Sequence, residues 1–156
     1  MHIALAEDED SKREKIRAFV SKTFVSAEIS ETRSVRATTR LFRTSARTID
    51  LLLLDMSLPT FDIAAGEPGG RPQGFGGIEV VRYLKKDGIS VPIIVITQHP
   101  AIARDEELID LDRIGEMVRM EAPLDYKGLI YYNTLTGQWR DQLEALIRVV
   151  FEGGSR

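Results

Sequence analysis

Cysteine is absent from the 156 residues, which excludes disulfides and thiolate metal sites. No apolar run approaches the roughly 20 residues needed to span a bilayer. The opening Met1-His2-Ile3-Ala4-Leu5 lacks the basic flank and long apolar core of a signal peptide. Basic charge is not in excess either. The 21 Lys and Arg stand against 24 Asp and Glu, for a net charge of -3, which argues against general nucleic-acid binding. Internal repeats, heptads and a linker to a second domain are also missing. These absences point to a cytoplasmic protein without membrane contact or direct nucleic-acid contact. Hydrophobic residues make up 43% and charged residues 29%, ordinary for a globular domain with a sizeable core.

What the chain does have is acid at the exits of apolar stretches. Ile3-Ala4-Leu5-Ala6 runs straight into Glu7-Asp8-Glu9-Asp10, and Leu51-Leu52-Leu53-Leu54 runs into Asp55. Clustered acids at the ends of buried strands are costly through desolvation and mutual repulsion unless something binds there. If the two stretches are neighbouring parallel strands, Glu7, Asp8 and Asp55 converge at the carboxyl edge, where open α/β sheets bind ligands. Three carboxylates suit a hard divalent cation such as Mg2+.

Strand-like and helix-like patterns alternate along the chain. Ile3–Ala6 reads as a buried strand. A helix capped by Asp10 or Ser11 follows, with Ile16, Phe19, Val20 and Phe24 on one face. Ala27–Thr32 reads as an edge strand, Ser34–Ala46 as a helix and Ile49–Leu54 as a central strand. The Gly- and Pro-rich stretch 57–76 reads as a long loop. Gly77–Asp87 reads as a helix closed by Gly88, and Val91–Ile96 as a fourth strand ending at Thr97. Asp105–Met120 reads as an acidic helix with Leu108, Leu111, Ile114 and Val118 inward. Gly128–Tyr132 is the fifth strand, and Trp139, Leu143, Leu146, Ile147 and Val150 mark a last helix. Five βα units predict a doubly wound α/β three-layer sandwich around a five-stranded parallel sheet, flavodoxin-like in order. One domain over 1–151 and a flexible tail over 152–156 are expected.

Taken together, these stretches resemble the receiver domain of two-component response regulators. Ile3–Asp10 resembles the family's first strand with its acidic pair. Asp50–Pro59 resembles the strand bearing the phosphoacceptor aspartate and the proline after it. Gly76–Val81 resembles the start of the third helix, and Val91–Thr97 the fourth strand with its switch threonine. The resemblance implies that Asp55 accepts a phosphoryl group from a histidine kinase or phosphotransfer protein. It implies Mg2+ bound by Asp8, by Glu7 through water, by Asp55 and by the backbone carbonyl of Ser57. Thr97 would contact the phosphoryl group and shift on activation. Output would run through contact with an unknown downstream protein, without an attached effector domain and without enzymatic activity on another substrate.

Three features depart from that family. The lysine that ends its fifth strand is not evident: Tyr132, or Asn133 with a one-residue slip, stands in its place. Lys127 and Arg71 would substitute only if the fold brings them near. The loop after Asp55 is longer than usual, and so is the segment between Thr97 and the fifth strand. These departures support an alternative, a pseudo-receiver that binds partners without being phosphorylated. A metal-dependent phosphohydrolase ranks last, because Asp55-Met56-Ser57 lacks a second acid two residues on. The basic stripe of Arg36, Arg40, Arg43 and Arg47 reads first as a solvated face and second as a docking face. Paired with acidic Asp105, Glu106 and Glu107, it would allow a homodimer. His99 reads as a surface histidine, and one of Tyr131 and Tyr132 as core.

Overall fold

Leu51–Leu54 and Ile93–Thr97 are buried at every position, a pattern that only the middle of a sheet covered on both faces allows. The computed structural model describes residues 1–45, 48–63 and 74–153. In chain order they form β1 (His2–Ala6), α1 (Asp10–Thr23), β2 (Glu28–Thr32), α2 (Val35–Ser45), β3 (Leu51–Leu54), α3 (Gly76–Lys86) and β4 (Ile93–Thr97). Then follow β5 (Ala101–Arg104), β6 (Glu107–Asp110), α4 (Leu111–Glu121), β7 (Tyr126–Tyr131) and α5 (Gln138–Glu152). Five strands make one sheet in the order β2-β1-β3-β4-β7, and every pairing in it is parallel. This is the expected flavodoxin-like order, with β2 at an edge.

Side chains alternate across the sheet. Ala4, Ala6, Leu52, Leu54, Ile93 and Val95 join one core with residues of α2, α3 and α4. Ile3, Leu5, Leu51, Leu53, Ile94 and Ile96 join a second core with Ile16 and Val20 of α1 and Trp139, Leu143 and Ile147 of α5. Gly88 closes α3 as expected, with φ +68° and its N–H donating to the Lys85 carbonyl at 3.1 Å.

Three expectations need correction. Residues 105–110 are not the start of a helix. Ala101–Arg104 and Glu107–Asp110 pair antiparallel as a hairpin, turning at Asp105 with φ 54°, a left-handed conformation that Asp tolerates. The stretch 101–110 alternates, so Ile102 and Ile109 face inward and Leu108 is 77% exposed. Helix α4 begins only at Leu111, capped by Asp110, whose side chain accepts from the Arg113 N–H at 2.9 Å. Asp105, Glu106 and Glu107 therefore lie in the hairpin and its turn. The sheet system is thus five parallel strands plus a hairpin, not five plain βα units.

The second correction concerns α1. Its N-cap is Glu9, without a side-chain cap bond; Asp10 is already helical and its carboxylate instead takes Arg13 as an ion-pair partner. Third, the last sheet strand starts two residues earlier than the apolar pattern suggests. Ile93 pairs with Tyr126 and Ile94 with Gly128, so Lys127 is an extra residue in a bulge. Of the long loop, Ser57, Leu58 and Pro59 are buried and Gly76 is already helical. Residues 64–73, Arg71 among them, lie outside the described residues, as do Arg47 and residues 154–156. Helix α5 runs through Glu152.

Candidate functional site

The acids meet because adjacent strands end level. Ala6 pairs with Leu54, so Glu7 and Asp55 leave the sheet side by side. The ladders extend one residue past the strands: Asp55 N–H donates to the Ala6 carbonyl at 2.9 Å, and Glu7 N–H to the Thr32 carbonyl at 3.0 Å. Both acids are therefore held by backbone bonds as well as by packing. Carboxylate oxygens of Glu7, Asp8 and Asp55 lie within 4.8 Å of one another. Glu7 is 2% and Asp55 4% exposed, whereas Asp8 is half-buried.

Burial and the negative charge of Asp55 push the Glu7 carboxyl up to about 8, against the opposing pull of Lys12. Burial and Asp55 also raise Asp8. Glu7 Oε1 accepts the Glu9 N–H at 3.0 Å, while Oε2 is buried without a well-directed hydrogen bond. An all-oxygen donor set of three converging carboxylates fits a hard divalent cation.

Sequence reasoning passed over Lys12. It projects from the first turns of α1 and is 1% exposed. Its ammonium stands 2.5 Å from Glu7 Oε2 as a charge contact. It donates to Asp55 Oδ1 at 3.3 Å and to the Ile96 carbonyl, at the end of β4, at 2.9 Å. Burial alone would lower its pKa, but the charges of Asp55 and Glu7 more than reverse this, and it is raised. The signal was present in the spacing: Lys12, Ile16 and Val20 follow each other at i, i+4, so Lys12 continues the inward stripe of α1 by one turn. Arg13 beside it is also buried, and its Nη1 donates to the Glu7 carbonyl at 3.1 Å.

Thr97 ends β4 fully buried, one residue past the carbonyl that holds Lys12. Its Oγ1 accepts the N–H of exposed His99 at 3.2 Å, and its carbonyl accepts the Tyr132 N–H at 2.7 Å. Ser57 is buried in the turn after Asp55. Gly76 and Gly77 press α3 onto that turn. The Gly77 N–H donates to the Met56 carbonyl at 3.0 Å, and a Cβ on Gly76 would fall 2.0 Å from the Leu58 carbonyl oxygen.

Among the described residues, those that could stand in for a missing lysine do not deliver a cation. Tyr132 is core, 5% exposed, its ring 5.0 Å from that of Trp139; Tyr131 is exposed. Asn133 uses its side chain to accept the Leu135 N–H. Lys127 sits at the far end of β7 and donates to the Leu124 carbonyl. In the basic stripe, Arg36 lies over Phe61, and Arg43 over Tyr83 and near Asp87; this is the solvated face, braced by local contacts. A broad groove lies elsewhere, between the hairpin, α3 and α4, lined by Arg82, Arg104, Glu107, Arg113 and Met120.

No protein-family model matches the sequence. The chain is 27% identical over 146 residues to the Detocs response regulatory protein DtcB of Enterobacter cloacae, covering 92% of this chain and 95% of that protein. In three dimensions it superposes on the phosphorylated cyanobacterial phytochrome response regulator RcpA with a TM-score of 0.70 at 19% identity, covering 99% of this chain and 96% of that one. The chain has the fold of response-regulator receiver domains. A second receiver-type neighbour is the Thermotoga maritima response regulator TrrA, solved in complex with Mg2+-BeF, with a TM-score of 0.60 at 16% identity over 93% of this chain and 97% of that one. Two features stand out on this fold: buried Tyr132 directly follows the last sheet strand, and a hairpin follows the fourth. No helix among its described residues is long and apolar enough to cross a membrane.

Proposed function

We propose that this receiver takes a phosphoryl group onto Asp55 in a Mg2+-dependent reaction and signals by protein contact. The observation that carries this is the convergence of Glu7, Asp8 and Asp55 within 4.8 Å at the carboxyl edge of the sheet. Asp8 and Asp55 would hold the cation directly, Glu7 through water, and the Ser57 carbonyl would add a further oxygen. The cation supplies neutralisation of the phosphoryl oxygens and a template for in-line approach. An aspartate serves as covalent nucleophile in such transfers. Thr97 Oγ1 already accepts from His99, which leaves its hydroxyl hydrogen to donate to a phosphoryl oxygen. The donor is a histidine kinase or phosphotransfer protein, and the β4–α4 region with its hairpin, directly downstream of Thr97, is the surface that would change.

One observation favours the pseudo-receiver instead. Lys12 already neutralises part of the acidic pocket, so the site can persist without a cation. The two readings separate by intact mass after incubation with acetyl phosphate and Mg2+. One added phosphoryl group, lost in Asp55→Asn and without Mg2+, is the expected result. No adduct and no beryllofluoride binding would leave the pseudo-receiver.

A further inference from the structure

We propose that Lys12, at the start of α1, is the phosphoryl-contacting cation of this site and does from the first helix what the family's fifth-strand lysine does from the opposite side. The inference rests on Asp55 being the phosphoacceptor. Among the described residues Lys12 is the basic side chain that bonds Asp55, and it also bonds the backbone at the exit of β4. Three partners in three segments fix the ammonium: Glu7 after β1, Asp55 after β3, and Ile96 in β4. A flexible lysine with so many anchors behaves as a preorganised charge.

The side chain beside the ammonium is complementary. Where a lysine from β7 would reach in, Tyr132 fills the space, packed on Trp139. The Lys12 ammonium stands 5.8 Å from the Tyr132 ring centroid, within the range of a cation–π contact. The missing lysine and the aromatic in its place are thus two halves of one exchange.

In the transfer, an Asp55 carboxylate oxygen bonds to phosphorus as the bond from phosphorus to the donor breaks, and the electron pair leaves with the donor. For acetyl phosphate the leaving group is acetate. Lys12 stays an ammonium throughout. Its hydrogen bond passes from Asp55 Oδ1 to a phosphoryl oxygen, where charge accumulates.

The same ammonium repels a divalent cation and competes with it for Glu7 and Asp55. Its removal therefore has opposite effects on two readouts. Lys12→Met is expected to bind Mg2+ several-fold more tightly, and to label with acetyl phosphate at least about tenfold more slowly, as loss of one donor to a charged transition state does. Binding is read from the emission of Trp139, the single tryptophan, and labelling from intact mass at saturating Mg2+. Lys12→Gln, with the same two shifts expected, serves if Lys12→Met does not fold. Adding Tyr132→Lys to Lys12→Met returns a cation from β7 and is expected to regain rate; no regain in a folded double variant counts against the proposal. Labelling of either single variant at the wild-type rate overturns it, as does a parallel fall in Mg2+ affinity and rate. A wild type that neither labels nor binds beryllofluoride removes the phosphoacceptor reading itself, a different result from a variant that labels normally.

Discussion

Asp8 sits at the rim of a pocket that already holds two buried acids and one ammonium. Its carboxyl is raised by burial and by Asp55, so its charged form is disfavoured in the cation-free fold. Asp8→Asn keeps the shape and removes one repulsive charge. It is expected to stabilise the cation-free protein by about 1 kcal/mol, roughly 2–4 °C in melting temperature for a domain of this size. The check is a thermal melt in EDTA; an unchanged or lower midpoint would mean that Asp8 is not strained by its neighbours. The acids were legible in the sequence because carboxylates straight after apolar runs are costly to bury together, and a bound cation offsets that cost. Lys12 was not, because a lysine in a helix is nearly always solvated, and only its spacing to Ile16 and Val20 set it apart.

At the scale of elements, the hairpin β5–β6 marks where pattern reading failed. Over 105–120 the apolar residues Leu108, Leu111, Ile114 and Val118 fit a helical stripe, and the acids at its start fit a helix N-terminus. Within 101–110 the alternation that fits two strands is just as good, and tertiary packing decided: Ile102 and Ile109 are paired across the hairpin and buried, at 6% and 9% exposed, in the core shared with Ile78, Ile114 and Val118. The two arrangements predict opposite mutational results. Ile109→Ala is expected to cost about 2 kcal/mol or more, while Leu108→Ala should stay within about 0.5 kcal/mol of wild type. Urea denaturation of the pair reads this directly, and the reverse order would restore the continuous helix. The central strands, in contrast, were legible almost residue by residue, since four consecutive leucines and an Ile-Ile-Val-Ile run have no place on a solvated face. Their starts moved in by two residues, from Ile49 to Leu51 and from Val91 to Ile93, and β7 starts earlier than read because a bulge at Lys127 leaves no trace in hydropathy.

Over the whole molecule, the carboxyl edge is assembled from β1, β3 and β4, strands that also form the middle of both cores. A ligand bound there is coupled to global stability. Mg2+ that binds the native fold and not the unfolded chain stabilises by mass action, about 2.7 kcal/mol at a concentration 100 times the dissociation constant. The midpoint of thermal unfolding should therefore rise with added Mg2+ and fall back on chelation with EDTA. Asp55→Asn should flatten that response. A melting temperature indifferent to Mg2+ would argue against a cation at this edge.

The placement of Lys12 has a consequence for how such a chain can diverge. The residues proposed for the site, Glu7, Asp8, Lys12, Asp55, Ser57 and Thr97, all fall within the first 97 residues, so on that proposal no described residue after Thr97 carries charge to the reacting centre. Apart from Tyr132 beside Lys12, the hairpin, α4, β7 and α5 would answer to packing and to whatever surface a partner reads. Inheritance can rewrite that last third without touching the chemistry, and a motif search that requires a lysine at its usual address would discard relatives that have merely moved it.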